Sequence, residues 1–152
     1  MNQIAIAGFT TNGCVLAQKI ANKLEGARAW APRRIAEKVG LPGFDSVGAW
    51  AGEAFAQGCD GIVFVGACGI AVRAIAPYVA SKMHDPAVVC VDEAGKWAIS
   101  LLSGHVGGAN AMYLPVPGVA MAAGHHRYGG GITTLEDAAR LFHIGFEKVI
   151  LN

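Results

Sequence analysis

The segment "CDGIVFVGACG", residues 59–69, decides the fold. Its middle is filled by β-branched and aromatic side chains and its end by glycines, a pattern typical of a strand buried on both faces of a parallel sheet. The next stretch, 69–82, has apolar residues at helical spacing and predicts a helix that Pro77 kinks. The segment therefore predicts a strand whose carboxyl end leads directly into a helix.

The same alternation extends in both directions along the chain. Downstream, 85–104 predicts two strands about a D-E-A-G-K turn. Upstream, the predicted elements are a strand at 3–8, a helix within 10–26, a strand at 27–32 and a helix at 46–58, with Ser46 as its N-cap. The sequence thus predicts the α/β class, with an open, mostly parallel sheet flanked by helices in a Rossmann-like, three-layer arrangement.

The composition limits the classes of partner. The chain has 152 residues, a formal net charge of +1, 15% charged residues and a mean hydropathy of +0.41. This length suits one domain of ordinary size, and the balanced charge gives no indication of nucleic acid or of a membrane surface as a partner. Apolar runs shorter than ~18 residues predict no membrane span. The start lacks a basic signal-peptide region, so we expect a cytoplasmic protein.

The four cysteines, Cys14, Cys59, Cys68 and Cys90, are widely separated and form no C-x-x-C motif. This spacing argues against a zinc knuckle and against a redox pair. In a reducing compartment we expect them to be small buried apolar side chains.

Three glycine-rich loops compete as the ligand site: 8–13, 66–73 and 103–110. Each precedes a predicted helix, whose first N–H groups favour carboxylates or phosphates. None is a nucleotide fingerprint, because Cys14 and Val15 stand where a P-loop needs Lys and Ser or Thr. Tight backbone packing without any ligand is the alternative interpretation of each loop.

The segment 58–110 goes beyond a generic α/β pattern. Its pieces "VGACGIAVRAIAP", "DPAVVCVDEAGK" and "SLLSGHVGGAN", in this order, closely resemble the N-terminal region of the cobalt-precorrin-5A hydrolase family of cobalamin biosynthesis. Residues 1–57 resemble it more weakly, so the resemblance covers about 1–111. It implies hydrolytic opening of the δ-lactone of a cobalt tetrapyrrole, with loss of acetaldehyde. It also implies a small-molecule substrate that itself carries the cobalt, no separate cofactor and no protein-bound metal. Whether the chain is a homo-oligomer stays open.

Lactone opening needs an activated water, a proton acceptor and donors for the developing oxyanion. His105, framed by glycines, is our first candidate for the base, because an ordinary imidazole titrates near neutrality. Asp92 and Glu93, at a predicted strand end, either orient His105 or act directly. The alternatives are a capping or packing histidine and solvated turn carboxylates.

The substrate implied by the resemblance carries many carboxylates, which cations and backbone amides would bind. Arg73, shortly after "GACG", is the best-placed guanidinium, and Ser103 and Asn110 are able to bond substrate or to cap a helix. The predicted substrate-binding residues are Gly66, Ala67, Cys68, Gly69, Arg73, Ser103, Gly104, Gly107, Gly108 and Asn110.

The pattern changes after residue 111, where Pro115 and Pro117 end any helix. We therefore predict an α/β domain at 1–111, a Pro/Gly-rich junction at 112–127 and a loop–helix–strand tail at 128–152. The tail has a triple glycine and a capping box, and it resembles one βα unit of the cyclase subunit of imidazole glycerol phosphate synthase.

One such unit cannot close an eight-fold barrel. The tail is interpreted either as a genuine fusion, as an addition to a truncated hydrolase, or as a shifted reading frame or assembly artefact. Three functions follow: a hydrolase of cobalamin biosynthesis, in truncated or chimeric form; a non-catalytic module that binds a carboxylated or phosphorylated ligand; and a fragment related to the barrel cyclase. Whether the chain is an enzyme stays open, with the resemblance favouring one.

Overall fold

The computed structural model describes residues 3–102, which form six strands and four helices. In chain order they are β1 (Ile4–Gly8), α1 (Thr11–Ala21), β2 (Ala27–Pro32), α2 (Arg33–Val39), β3 (Gly43–Phe44), α3 (Val47–Ala56), β4 (Gly61–Val65), α4 (Cys68–Ile75), β5 (Ala87–Val91) and β6 (Ala98–Leu102).

The six strands form one sheet in the order β3-β2-β1-β4-β5-β6. All neighbouring strands are parallel except β5 and β6, which are antiparallel. This confirms the predicted fold class. The strand order reverses direction between β1 and β4, and in open α/β sheets the crevice outside the carboxyl ends at such a switch point is where ligands bind.

Two hydrophobic clusters fill the space between the sheet and its helices. On one face, Ile6 and Val63 pack against α1, and α2 adds a smaller cluster beside it. On the other face, Phe64 packs against Trp50 of α3 and against α4. Because consecutive residues of a strand face opposite sides, each central strand contributes to both clusters. The sheet therefore lies between two helical layers, as predicted.

The helix boundaries follow local signals. The hydroxyl of Ser46 accepts a hydrogen bond from the Ala49 N–H at 3.3 Å, so the predicted N-cap of α3 is confirmed. The prediction that the helix after β4 continues through Pro77 is wrong, since α4 ends at Ile75. Proline disfavours helical geometry in the residue before it and has no N–H to bond within a helix, so the helix ends before Pro77.

The sequence predicts no element over residues 33–44, yet the chain forms α2 and β3 there. The short helix α2 begins directly after Pro32 and ends at Val39, and its C-cap is Gly40, whose φ of 69° is left-handed. The predicted junction at 112–127 and tail at 128–152 lie outside the described residues.

Between residues 3 and 102, no helix combines the length and the apolar character that crossing a bilayer needs.

Candidate active site

The candidate site lies at the switch point, where the loops after β1, β4 and β5 meet. The carboxyl ends of these parallel strands share one edge of the sheet, and both α1 and α4 begin there. Two of the three predicted glycine-rich loops, 8–13 and 66–73, therefore come together. The third, 103–110, lies outside the described residues.

A hydrogen bond joins the two outer loops of this edge. The Thr10 hydroxyl, after β1, donates to Glu93 Oε1, after β5, at 2.8 Å. The same hydroxyl accepts from the Gly13 N–H at 3.1 Å and so caps α1. Since β4 lies between β1 and β5, the Thr10–Glu93 bond crosses the switch point. It fixes the predicted carboxylate Glu93 over the edge of the sheet.

Gly13 lies at the centre of this arrangement. A Cβ at this position would be 3.2 Å from the Val65 carbonyl, 3.3 Å from Thr10 Oγ1 and 3.4 Å from Glu93 Oε1. The chain therefore brings oxygen atoms from three strand ends around one glycine. The absence of a side chain at Gly13 lets α1 approach them this closely.

Aromatic rings pack next to the site. Phe9 stacks on Phe64 with centroids 6.4 Å apart and planes at 8°. A Cβ on Gly66 would meet the Phe9 ring at 2.8 Å, so the predicted binding loop approaches the ring because Gly66 has no side chain. Phe9 was not predicted, because a single phenylalanine after a strand carries no chemical signal.

The start of α4 holds the other predicted binding residues. Gly66 and Ala67 connect β4 to α4, and Cys68 and Gly69 are the first two residues of α4. The N-cap Ala67 makes no side-chain hydrogen bond to the helix. The Arg73 guanidinium folds back along its own helix to the Gly69 carbonyl at 3.5 Å. The structure thus brings a cation and the first N–H groups of α4 to the same edge, where both favour an anionic group.

Asp92 has a different environment from Glu93. Its carboxylate accepts from the N–H groups of Ala94, Lys96 and Trp97, at 3.0, 2.8 and 2.5 Å, and so organises the turn from β5 to β6. These bonds occupy Asp92 within the turn. The Glu93 side chain instead reaches the switch point. The predicted catalytic role of either carboxylate remains a prediction.

Arg34, on α2, adds a cation to this edge. The sequence did not predict it as a site residue, because it did not predict α2. Its Nη2 donates to the Phe9 carbonyl at 3.2 Å. Burial raises the pKa of the nearby Cys14 thiol, while the charge of Arg34 lowers it and that of Glu93 raises it. Arg34 and Glu93 therefore both act on the buried start of α1.

The remaining predicted site residues lie outside the described residues: Ser103, Gly104, His105, Gly107, Gly108 and Asn110. Their roles stay predictions. Across residues 3–102, no three His, Cys, Asp or Glu side chains are grouped so as to hold a metal ion.

Comparison with known families and proteins adds to this geometry. The chain matches the family described as Cobalamin synthesis G N-terminal over residues 50–125, half of its length. The match includes β4, α4, β5 and β6, and it extends to residue 125, past Pro115 and Pro117.

Two curated relatives are cobalt-precorrin-5A hydrolases. The chain is 41% identical to that of Salmonella typhimurium over 109 residues, which is 72% of this chain and 30% of the relative. It is 48% identical to that of Priestia megaterium over 52 residues, 34% of this chain and 14% of the relative. The chain therefore spans less than a third of the length of the curated relatives it matches.

A solved structure is also similar. The crystal structure of a cobalamin biosynthesis protein G homolog from Sulfolobus solfataricus matches with a TM-score of 0.54 and 28% identity. The match covers 72% of this chain and 32% of the other. The α/β arrangement of the described residues is thus shared with a solved relative.

Proposed function

The chain belongs to the Cobalamin synthesis G N-terminal family, and from this we propose that its α/β domain binds the lactone-bearing cobalt tetrapyrrole of the hydrolase reaction and assists its opening. The names of the two curated relatives and the resemblance in 58–110 support the substrate class. In this proposal the cobalt arrives within the substrate. The protein supplies the carboxylate, the cations and the amide donors around it.

The observation that carries the proposal is the Thr10–Glu93 hydrogen bond at 2.8 Å across the switch point. It occupies Glu93 Oε1, and no hydrogen bond to Oε2 is found within residues 3–102. Glu93 is exposed, so water is able to reach Oε2. We assign Glu93 the role of proton acceptor for the attacking water and Thr10 the role of positioning residue.

Opening of the lactone would proceed by addition of water to the carbonyl carbon. The water loses a proton to Glu93, and negative charge develops on the carbonyl oxygen. The start of α4, which has no side-chain cap, offers N–H donors for that charge. The ring C–O bond then breaks and Glu93 returns its proton to the leaving oxygen, which leaves a carboxylic acid and an alcohol. Acetaldehyde is lost later. In this proposal Arg73 and Arg34 bind peripheral carboxylates of the macrocycle.

The test is release of acetaldehyde from cobalt-precorrin-5A by the purified full chain, with substrate binding measured separately. We expect Glu93→Gln to lower kcat about 100-fold or more, the usual contribution of a general base. Glu37→Gln, on the exposed surface of α2, is the matched control and should leave kcat unchanged. If His105→Ala abolishes turnover while Glu93→Gln does not, the base is His105 and this assignment is wrong.

The role of Thr10 needs its own pair of variants, because Thr10 also caps α1. Thr10→Val removes the hydroxyl, whereas Thr10→Ser keeps it. We expect Thr10→Val to lower kcat with little change in KM and Thr10→Ser to restore it. Equal loss in both variants would contradict the positioning role. Tetrapyrrole binding by the unmodified chain without any turnover would instead support the non-catalytic binding module.

A further inference from the structure

Two cysteines from different elements meet at the carboxyl edge of the sheet. Cys68 is the first residue of α4, and Cys90 is the last but one of β5. Cys90 Sγ lies 3.3 Å from the carbonyl of Gly66, two residues before Cys68, and the Cys68 side chain raises the pKa of the Cys90 thiol, so the two side chains are neighbours. Both side chains belong to the cluster that packs the α3–α4 face of the sheet. The sequence spacing argued against a redox pair, but the parallel pairing of β4 with β5 brings these two thiols together.

Packing holds Cys90 in place. Its side chain is 3% exposed, and its Sγ donates to the Gly66 carbonyl at 3.3 Å. Cys68 is only partly buried, at the open end of α4. The pair therefore has one fixed inner sulfur and one outer sulfur that a small solute is able to reach.

The other two cysteines are not placed to compete. Cys59 precedes β4, so the five residues of that strand separate it from the edge that holds Cys68. At about 3.3 Å per residue, this separation is about 16 Å, too far for a disulfide. Cys14 packs with Ala31 and Ala36 on the opposite face of the sheet. Cys68 and Cys90 are therefore each other's partner.

We propose that Cys68 and Cys90 form a reversible disulfide on exposure to hydrogen peroxide, which makes the start of α4 a site of oxidative modification. The Cys68 thiolate attacks the peroxide, so an S–O bond forms, the O–O bond breaks and the departing hydroxide is protonated to water. The Cys90 sulfur then attacks the Cys68 sulfenic acid. An S–S bond forms, the S–O bond breaks, and a second water carries away the Cys90 proton.

The order of the two attacks follows from the surroundings of each sulfur. Burial raises the pKa of Cys90 to about 12, with smaller contributions from Cys68 and Asp92. Cys90 is therefore a protonated thiol at neutral pH and a poor first nucleophile. The first attack falls to Cys68, whose sulfur is the more exposed.

The disulfide would change the candidate site. It removes the hydrogen bond from Cys90 to the Gly66 carbonyl and ties the first residue of α4 to β5. The turn 66–69 would then lose its freedom to adjust to a ligand. The thiol chemistry does not depend on the proposed hydrolase function, and its test needs no tetrapyrrole.

The experiment treats the full chain with hydrogen peroxide, blocks free thiols by alkylation and digests it without reduction on the amino side of aspartates. Cleavage before Asp60, Asp85 and Asp92 gives peptides 60–84 and 85–91, with one cysteine each. We expect these two peptides to be linked, and dithiothreitol to separate them. Cys59→Ser, the matched control, should keep the link.

Cys68→Ser and Cys90→Ser should both lose the link. Cys68 is the less disruptive position, because its side chain is only partly buried, so this variant remains informative if Cys90→Ser fails to fold. A link from either peptide to Cys14 or Cys59 would overturn the proposal. Disulfide-linked dimers, or further oxidation of Cys68 with peptides 60–84 and 85–91 unlinked, would also overturn it.

Discussion

The Thr10 hydroxyl makes two hydrogen bonds at the carboxyl edge of the sheet. A hydroxyl has one proton to donate and two lone pairs to accept with. Thr10 donates to Glu93 and accepts from the Gly13 N–H, so the direction of its proton is fixed by its two partners. The cap of α1 and the orientation of Glu93 are thus set by the same atom. Replacement of Thr10 would therefore affect both the cap of α1 and the orientation of Glu93.

Arg33 and Asp45 provide a residue-scale prediction of pH dependence. Arg33 Nε lies 2.5 Å from Asp45 Oδ1, and Nη2 donates to Oδ2 at 2.9 Å, although both side chains are exposed. The hydrogen bond to Arg33 lowers the pKa of Asp45 below its ordinary value. The stability that the pair contributes is therefore present above the ordinary aspartate pKa, about 3.9, and is lost as pH falls through the lower folded value.

We expect Asp45→Asn to lower the urea midpoint slightly at pH 7. The difference should shrink at 1 M salt, where the screening length is about 3 Å, and disappear in acid. Glu37→Gln serves as the control. A loss that is unchanged by salt and by pH would show that Asp45 acts through packing rather than charge.

At the scale of elements, periodicity predicted the long segments and failed on short ones. Apolar runs predict the strands that lie within 59–69 and 85–104. The capping residue Ser46 predicts the start of α3. The helix α2 has seven residues, of which only Ala36 is buried, so its apolar pattern is weak. Gly40, directly after it, was the usable stop signal.

Two glycines of α3 allow a matched test of packing. A Cβ at Gly48 would meet only Ser46 Oγ, at 3.8 Å, whereas one at Gly52 would meet Tyr78 Cζ at 2.6 Å. Alanine favours a helix over glycine by up to about 1 kcal/mol. We therefore expect Gly48→Ala to raise Tm and Gly52→Ala to raise it less or to lower it.

The Tyr78 ring, whose centroid lies 5.9 Å from that of the Phe55 ring, is the expected cause of this difference. In a Tyr78→Ala background, Gly52→Ala should recover the helix-forming gain. Thermal unfolding of the single and double variants measures the coupling. Equal effects of Gly52→Ala with and without the ring would contradict the close packing.

At the scale of the whole molecule, the sequence predicted the layers better than the site. A strand ending in glycine before a helix is a local signal, and it placed 66–69 at the correct edge. The Thr10–Glu93 bond joins residues 83 positions apart, and the meeting of Cys68 with Cys90 depends on the pairing of β4 with β5. Such contacts follow from strand order, which no single segment specifies.

Because both hydrophobic clusters pack against the same sheet, we expect the two helical layers to unfold together. Ile6 of β1 is fully buried in one cluster, and Ile62 of β4 is fully buried in the other. Ile→Val removes one methylene from either face and should cost about 0.5–1.5 kcal/mol at each site. Since these side chains lie on opposite faces of the sheet, the double variant should be additive within about 0.3–0.5 kcal/mol.

Urea unfolding followed by tryptophan fluorescence and by far-UV circular dichroism measures both quantities. Trp50 belongs to the same cluster as Ile62, so in a Trp30→Phe, Trp97→Phe background, where Trp50 is the one of the three tryptophans that is left, its fluorescence reports on that layer. If the layers are one cooperative unit, Ile6→Val shifts the Trp50 transition as much as Ile62→Val does, and the two signals coincide. A Trp50 transition that responds to Ile62→Val but not to Ile6→Val would mean that the layers unfold separately. The switch-point site would then be shared between two independently stable halves.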